Sequence, residues 1–231
     1  MNNKWLIFFT VILFSSCIEE VVYEKVQPEG QKDETRFKAK FRGKYYDKEA
    51  CYRLEVKKKT ITEHLHIETT LHKSMLPKFE LELKKEDNST LDYKLIEKGD
   101  SILVKVDHEE NIFTIGKNQK LRYYDGIYFL NYIDTNKLAT ENTLWYVKTL
   151  HKKNGELILG NLPAEEKYLE KLEAIFPLSP IKDEEDETIG YKASPSKEHW
   201  REFIAKELYN VSKVYNKKKP KTSCNELVID F

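Results

Sequence analysis

Apolar and polar residues alternate with a period of two through most of the middle of the chain. Phe37, Ala39 and Phe41 alternate with basic residues, and Tyr52, Leu54 and Val56 follow the same rule. Ile61, Leu65 and Ile67 continue it, then Phe79, Leu81 and Leu83, then Ile102, Val104 and Val106. Successive side chains on a strand point to opposite faces, so each run predicts a half-buried β-strand. Asp87-Asn88-Ser89, Gly99-Asp100, Gly116, Asp125-Gly126 and Asn154-Gly155 punctuate the runs as turn signals. The clearest hairpin joins Leu144–Lys153 to Glu156–Leu159 through Asn154-Gly155, because a type I′ turn needs two residues that accept positive φ. Asp125-Gly126 offers the same turn between Leu121–Tyr124 and Ile127–Ile133. Seven or more strands with short connections predict an antiparallel β-meander, folded as a curved sheet, a sandwich or a barrel.

The period changes after residue 160. Leu169, Leu172 and Ile175 fall on one helical face, with Pro163 near the start and Pro177 just past the end, which predicts a helix near 163–176. Residues 178–195, with Pro180 and the acidic run Asp183 to Glu187, read as a loop. Ser194-Pro195-Ser196 then opens a second helix, predicted over 196–216. Trp200, Phe203, Ile204, Leu208, Val211 and Tyr215 form its apolar stripe, which would dock on the β-domain. Residues 217–221 are a basic tail, and Leu227-Val228-Ile229 reads as a last short strand. The predicted class is mainly β with C-terminal helices (α+β), as a single domain over 36–231.

Composition narrows the function classes. The 231 residues carry 39 basic and 39 acidic side chains, a formal net charge of zero, and 12% aromatics. A mean hydropathy of −0.65 excludes a multi-span membrane protein. Zero net charge argues against a general nucleic-acid binder, which is normally basic. No Gly-rich phosphate loop, GxSxG, HExxH or SxxK pattern occurs, and no cofactor is implied. The acidic run at 183–187 lacks the alternating ligands and glycine of a calcium loop.

The N-terminus carries its own signal. Lys4 is followed by the apolar run Trp5 to Phe14, then by Ser15-Ser16-Cys17. A single cation, a short apolar run and a small-residue site are the layout of a secretory signal peptide. The run is too short to span a bilayer, which needs about 20 apolar residues. With a cysteine directly after Ser15-Ser16, residues 1–17 resemble a bacterial lipoprotein signal peptide. Phe14 stands where that family usually carries Leu. The resemblance implies cleavage between Ser16 and Cys17, and diacylation of Cys17 as the first residue of the mature chain. It also implies anchorage to a membrane of the cell envelope, the outer membrane ahead of the inner, without a spanning helix. Residues 18–35, which include Glu19, Glu20, Pro28 and Gly30, show no sustained apolar period and read as a flexible tether.

Three groups of residues are candidates for chemistry. His64, His66 and Glu68 share one strand face, and two imidazoles with a carboxylate are a zinc-type donor set. The plainer reading puts Leu65 and Ile67 inward and leaves the histidines in solvent. Tyr123, Tyr124, Tyr128, Tyr132 and Trp145, with Tyr146, concentrate aromatics in one stretch and suit a sugar- or peptide-binding surface. Half-buried strand faces are enriched in aromatics for packing alone. Cys51 and Cys224 lie in the exported part of the chain, where a disulfide would stabilise by about 4–5 kcal/mol. Together these define a lipid-anchored envelope protein, expected to act in binding or assembly with a partner the sequence does not identify. A lipocalin-like small-ligand carrier and an extracytoplasmic hydrolase are the alternatives.

Overall fold

The computed structural model describes residues 20–48, 51–77, 92–133, 143–161, 166–183 and 185–220. Its strands are β1 (Glu20–Tyr23), β2 (Asp33–Glu34), β3 (Gly43–Tyr46), β4 (Tyr52–Val56), β5 (Thr60–His72), β6 (Asp92–Lys98) and β7 (Ser101–Thr114). They continue with β8 (Gln119–Tyr124), β9 (Ile127–Ile133), β10 (Trp145–Lys153), β11 (Glu156–Asn161), β12 (Leu178–Lys182), β13 (Thr188–Ala193) and β14 (Asn210–Tyr215). Two helices, α1 (Glu166–Glu173) and α2 (Lys197–Ala205), lie in the C-terminal part. The expected mainly-β class with C-terminal helices is what the chain adopts. It forms two curved sheets, not a closed barrel.

The first sheet has nine strands, ordered β12-β13-β1-β10-β9-β8-β2, with β11 and β14 branching from β10. The second has five, ordered β3-β4-β5-β7-β6. Both predicted hairpin turns form. Asp125 and Gly126 take φ of 45° and 85°, and Asn154 and Gly155 take 52° and 86°, as a type I′ turn requires. The sheets meet at one edge, where Tyr46 and Asn216 exchange backbone hydrogen bonds of 2.7 and 2.6 Å.

Between the sheets lies an aromatic core. Phe37, Phe41, Tyr45, Phe113, Tyr128 and Tyr215 are fully buried there with Leu54, Ile61 and Leu150. Edge-to-face pairs such as Phe41–Tyr128, at 4.8 Å, fill the space a barrel would leave for a ligand. A second core lies on the other face of the first sheet, where Tyr23, Phe129, Phe176, Trp200 and Phe203 pack. Burial on both faces explains why β9 reads Ile-Tyr-Phe-Leu without alternation. The outer halves of β5 and β7 run past the main core and carry a small cluster of their own, Leu71, Ile102, Val104 and Val106.

Four expectations need correction, and one strand was not expected at all. Within the expected tether, residues 20–34 belong to the fold: Val21, Val22 and Tyr23 are buried, and β1 pairs in parallel with β13. Gln27 is held at both ends. Its backbone N–H donates to Asn131 Oδ1 at 2.6 Å, and its side-chain oxygen accepts from Trp200 Nε1 at 3.0 Å. These partners lie far along the chain, so local composition carries no trace of them. Second, Phe37 to Phe41 is not a strand. Ala39–Phe41 is a 3-10 turn that drops both phenylalanines into the core. Third, residues 178–195 form the β12–β13 hairpin, with Pro180 on an edge strand where its missing N–H costs nothing. Fourth, the strand β6 (Asp92–Lys98) is an unpredicted edge beside β7.

Fifth, the second helix ends at Ala205 and residues 210–215 are a strand paired with β11. Glu207 N–H donates to Ile204 O at 3.1 Å and Leu208 N–H to Phe203 O at 3.2 Å, with Glu207 at φ 50°. That is a Schellman end with glutamate where glycine is usual, so the customary stop signal is missing. The helix start is as expected: Ser196 and His199 form a reciprocal capping box. The expected strands at Phe79–Leu83 and Leu227–Ile229 lie outside the described residues.

Candidate functional site

The outer face of the second sheet holds a pocket of about 460 Å³. It is lined by Tyr46, Cys51, Arg53, His64, Leu65, His66, Asp107, His108, Glu109 and Lys219. Strand register assembles it. Arg53 of β4 sits opposite His64 of β5, and His64 sits opposite Glu109 of β7. One row on, His66 sits opposite Asp107. Ile61 and Leu54, on the other face of the same strands, are fully buried. The period-two pattern thus turns the polar set outward.

Each acid of the pocket faces a histidine. His64 Nδ1 lies 3.2 Å from Glu109 Oε2, and His66 Nδ1 lies 2.6 Å from Asp107 Oδ1. Two atoms are buried without a partner, Arg53 Nε and His64 Nε2. The carboxylate nearest His64 Nε2 is Glu55, at 3.7 Å, beyond hydrogen-bond reach. Burial, and then the Arg53 charge, hold the His64 pKa below the usual histidine value, against the pull of Glu109 and Glu55.

The proposed metal residues are close in space but engaged elsewhere. His64 faces Glu109, His66 faces Asp107, and Glu68 accepts from Lys105. Among the described residues no group of three or more His, Cys, Asp or Glu could hold a metal ion. Cross-strand register gives each of the three its own partner on β7, so they do not converge on one ion.

The aromatic stretch does not form one continuous surface. Tyr128 is fully buried and Trp145 is 9% exposed. Tyr123, Tyr128 and Tyr132 pack toward the core between the sheets, whereas Tyr124 and Trp145 pack toward the helices. Alternation along β8 and β9 splits the group between the two faces of one sheet. Lys38 Nζ sits 3.2 Å above the Tyr123 ring.

Cys51 is disulfide-bonded, and its partner lies outside the described residues, as do Ser16, Cys17 and Cys224. Sequence reasoning missed Arg53, Asp107, Glu109 and Lys219. The signal was present for Arg53, an outward position of a run already read as a strand, whereas Asp107 and Glu109 continue the outward parity of the Ile102–Val106 run past its end. Only their register was lacking. No helix of the described residues is long and apolar enough to cross a membrane. Comparison with protein-family models, with curated proteins and with solved structures finds no match to this chain.

A second buried histidine sits on β10. His151 is 5% exposed, packs against Tyr209 with tilted rings 4.3 Å apart, and neither ring nitrogen has a hydrogen-bond partner. Burial lowers its pKa to about 4, helped by Lys153 and opposed by Glu207. The unfolded chain takes up this proton near pH 6.5 and the folded chain only near its own lower value. Stability therefore falls as pH drops through that window and is unaffected by this group above it. Chemical denaturation should show a loss of roughly 3 kcal/mol between pH 7 and 4 that is removed in His151→Leu. An unchanged pH profile in His151→Leu would show that other groups carry the acid response.

Proposed function

We propose that the protein is a lipid-anchored binding module of a bacterial cell envelope, with the outer-face pocket as its ligand site. The lipoprotein-type signal of residues 1–17 supports the anchor. Strand β1 begins at Glu20, three residues after Cys17. A span of that length reaches about 10 Å at most, so on this reading the folded domain sits close against the membrane. The observation that carries the binding role is the pocket, where Arg53 Nε and His64 Nε2 are buried and unpartnered in a space of about 460 Å³. Small-ligand sites run from about 300 to 1,000 Å³ with a few convergent polar groups. A lipocalin-like carrier finds no support, because aromatic side chains fill the space between the sheets.

Native mass spectrometry of the protein isolated from its host in mild detergent tests the binding role. The expected result is an added mass on the wild-type chain that is missing from Arg53→Gln, with equal circular dichroism for the two. No added mass on the wild-type chain, or the same added mass on both chains, would overturn it.

A further inference from the structure

We infer that the outer-face pocket recognises a phosphate group, seated between Arg53, His64 and Lys219. The inference deepens the binding-module reading by naming the ligand chemistry of the same pocket, and it does not depend on the lipid anchor.

The pocket contains both signs of charge, and each of its acids already faces a histidine. Glu109 faces His64 and Asp107 faces His66. Arg53 and Lys219 make no hydrogen bond or ion pair among the described residues, and Arg53 Nε is buried in that state. A buried donor without a partner costs free energy that a ligand acceptor recovers. The donors left without an acceptor in the pocket are therefore those of Arg53 and Lys219. Arg53 comes from β4, His64 from β5 and Lys219 from the segment after β14, so three donors approach from three parts of the chain. Three separately mounted donors suit a tetrahedral oxyanion with three free oxygens better than a planar carboxylate, which one arginine fork can satisfy.

Proton coupling follows from the same residues. Glu109 Oε2, 3.2 Å from His64 Nδ1, favours a proton on that nitrogen, which leaves Nε2 to carry the second proton. The charged groups facing this ring are Arg53 and Glu55 from β4, Lys57 from the following turn, and Glu109 from β7. A dianion beside Arg53 offsets the repulsion that disfavours the imidazolium. Phosphate binding should then raise the His64 pKa and be tighter at pH 6 than at pH 8.

Imidazole NMR on the full chain tests this, with sodium phosphate titrated at constant ionic strength. The His64 resonances should move and saturate, while those of His72 and His199, which lie elsewhere on the surface, stay in place. Arg53→Gln should weaken the midpoint at least tenfold. Lys219→Gln, on the exposed rim, gives the same reading if Arg53→Gln does not fold. Vesicles of phosphatidic acid in phosphatidylcholine form a second arm. A response to vesicles but not to inorganic phosphate assigns the phosphate to a lipid headgroup, and a response to inorganic phosphate assigns it to a soluble ligand. No response in either arm, or equal non-saturating shifts at His64, His72 and His199, would overturn the inference. A natural ligand lacking phosphate would overturn it while leaving the binding module intact.

Discussion

Trp200→Ala should be the most damaging single substitution in the helical layer, with a loss of about 3–5 kcal/mol. Trp200 is fully buried, and its ring lies 4.8 Å from both Phe129 and Phe176 and 5.4 Å from Phe203. The substitution opens a cavity among these rings. It also removes the donor to Gln27 Oε1, a buried acceptor that contributes about 1 kcal/mol when paired. For a chain of this size the midpoint of thermal unfolding should fall by roughly 10 °C. The loss should not be evenly spread. Residues 20–28 are held by the β1–β13 pairing and by Gln27, and Trp200 touches both Tyr23 and the Gln27 side chain, so hydrogen exchange there should accelerate first. Uniform acceleration across both sheets would contradict this local role of Trp200.

Glu63→Ala should cost about 2–4 kcal/mol by a different route. Glu63 is 7% exposed on the core side of β5. Its carboxylate accepts from the Tyr215 hydroxyl and pairs with Lys213 Nζ at 2.7 Å, both on β14. Burial, and then the carboxylate itself, push the Tyr215 pKa well above the ordinary phenol value. Alanine would leave that hydroxyl buried with no acceptor. Glu63→Gln keeps an acceptor and should lose less than half as much, as urea titration of both variants would show. A Gln variant as unstable as the Ala variant would mean that the charge on Glu63, not the hydrogen bond, holds the sheets together. The pair matters for the pocket because His64 follows Glu63 on the strand, so the inner contact fixes the height of the outer one.

The legibility of this chain follows the range of the interactions involved. Hairpins β8–β9 and β10–β11 were readable because Asp125-Gly126 and Asn154-Gly155 write the turn into two residues. The outward face of β5 was readable because Ile61, Leu65 and Ile67 fix which parity points inward. The N-terminal strand was not, since its burial depends on β13 and on Asn131 and Trp200, all distant in sequence. The end of the second helix was hidden by a glutamate in a glycine conformation. The aromatic stretch misled because alternation within β8 and β9 was not applied to it: neighbouring tyrosines face opposite sides of one sheet. The pocket was half legible. His64 and His66 were found by parity on their own strand. Arg53, Asp107 and Glu109 needed the cross-strand register, which periodicity within a strand does not contain.

The most direct test of the account is the mass of the N-terminal peptide from protein extracted from its host's membranes. The account predicts a chain that begins at Cys17 and carries diacylglyceryl on the cysteine sulfur, with Cys17→Ser abolishing both cleavage and lipid. A chain that keeps residues 1–16, or one cleaved elsewhere with an unmodified Cys17, would contradict it.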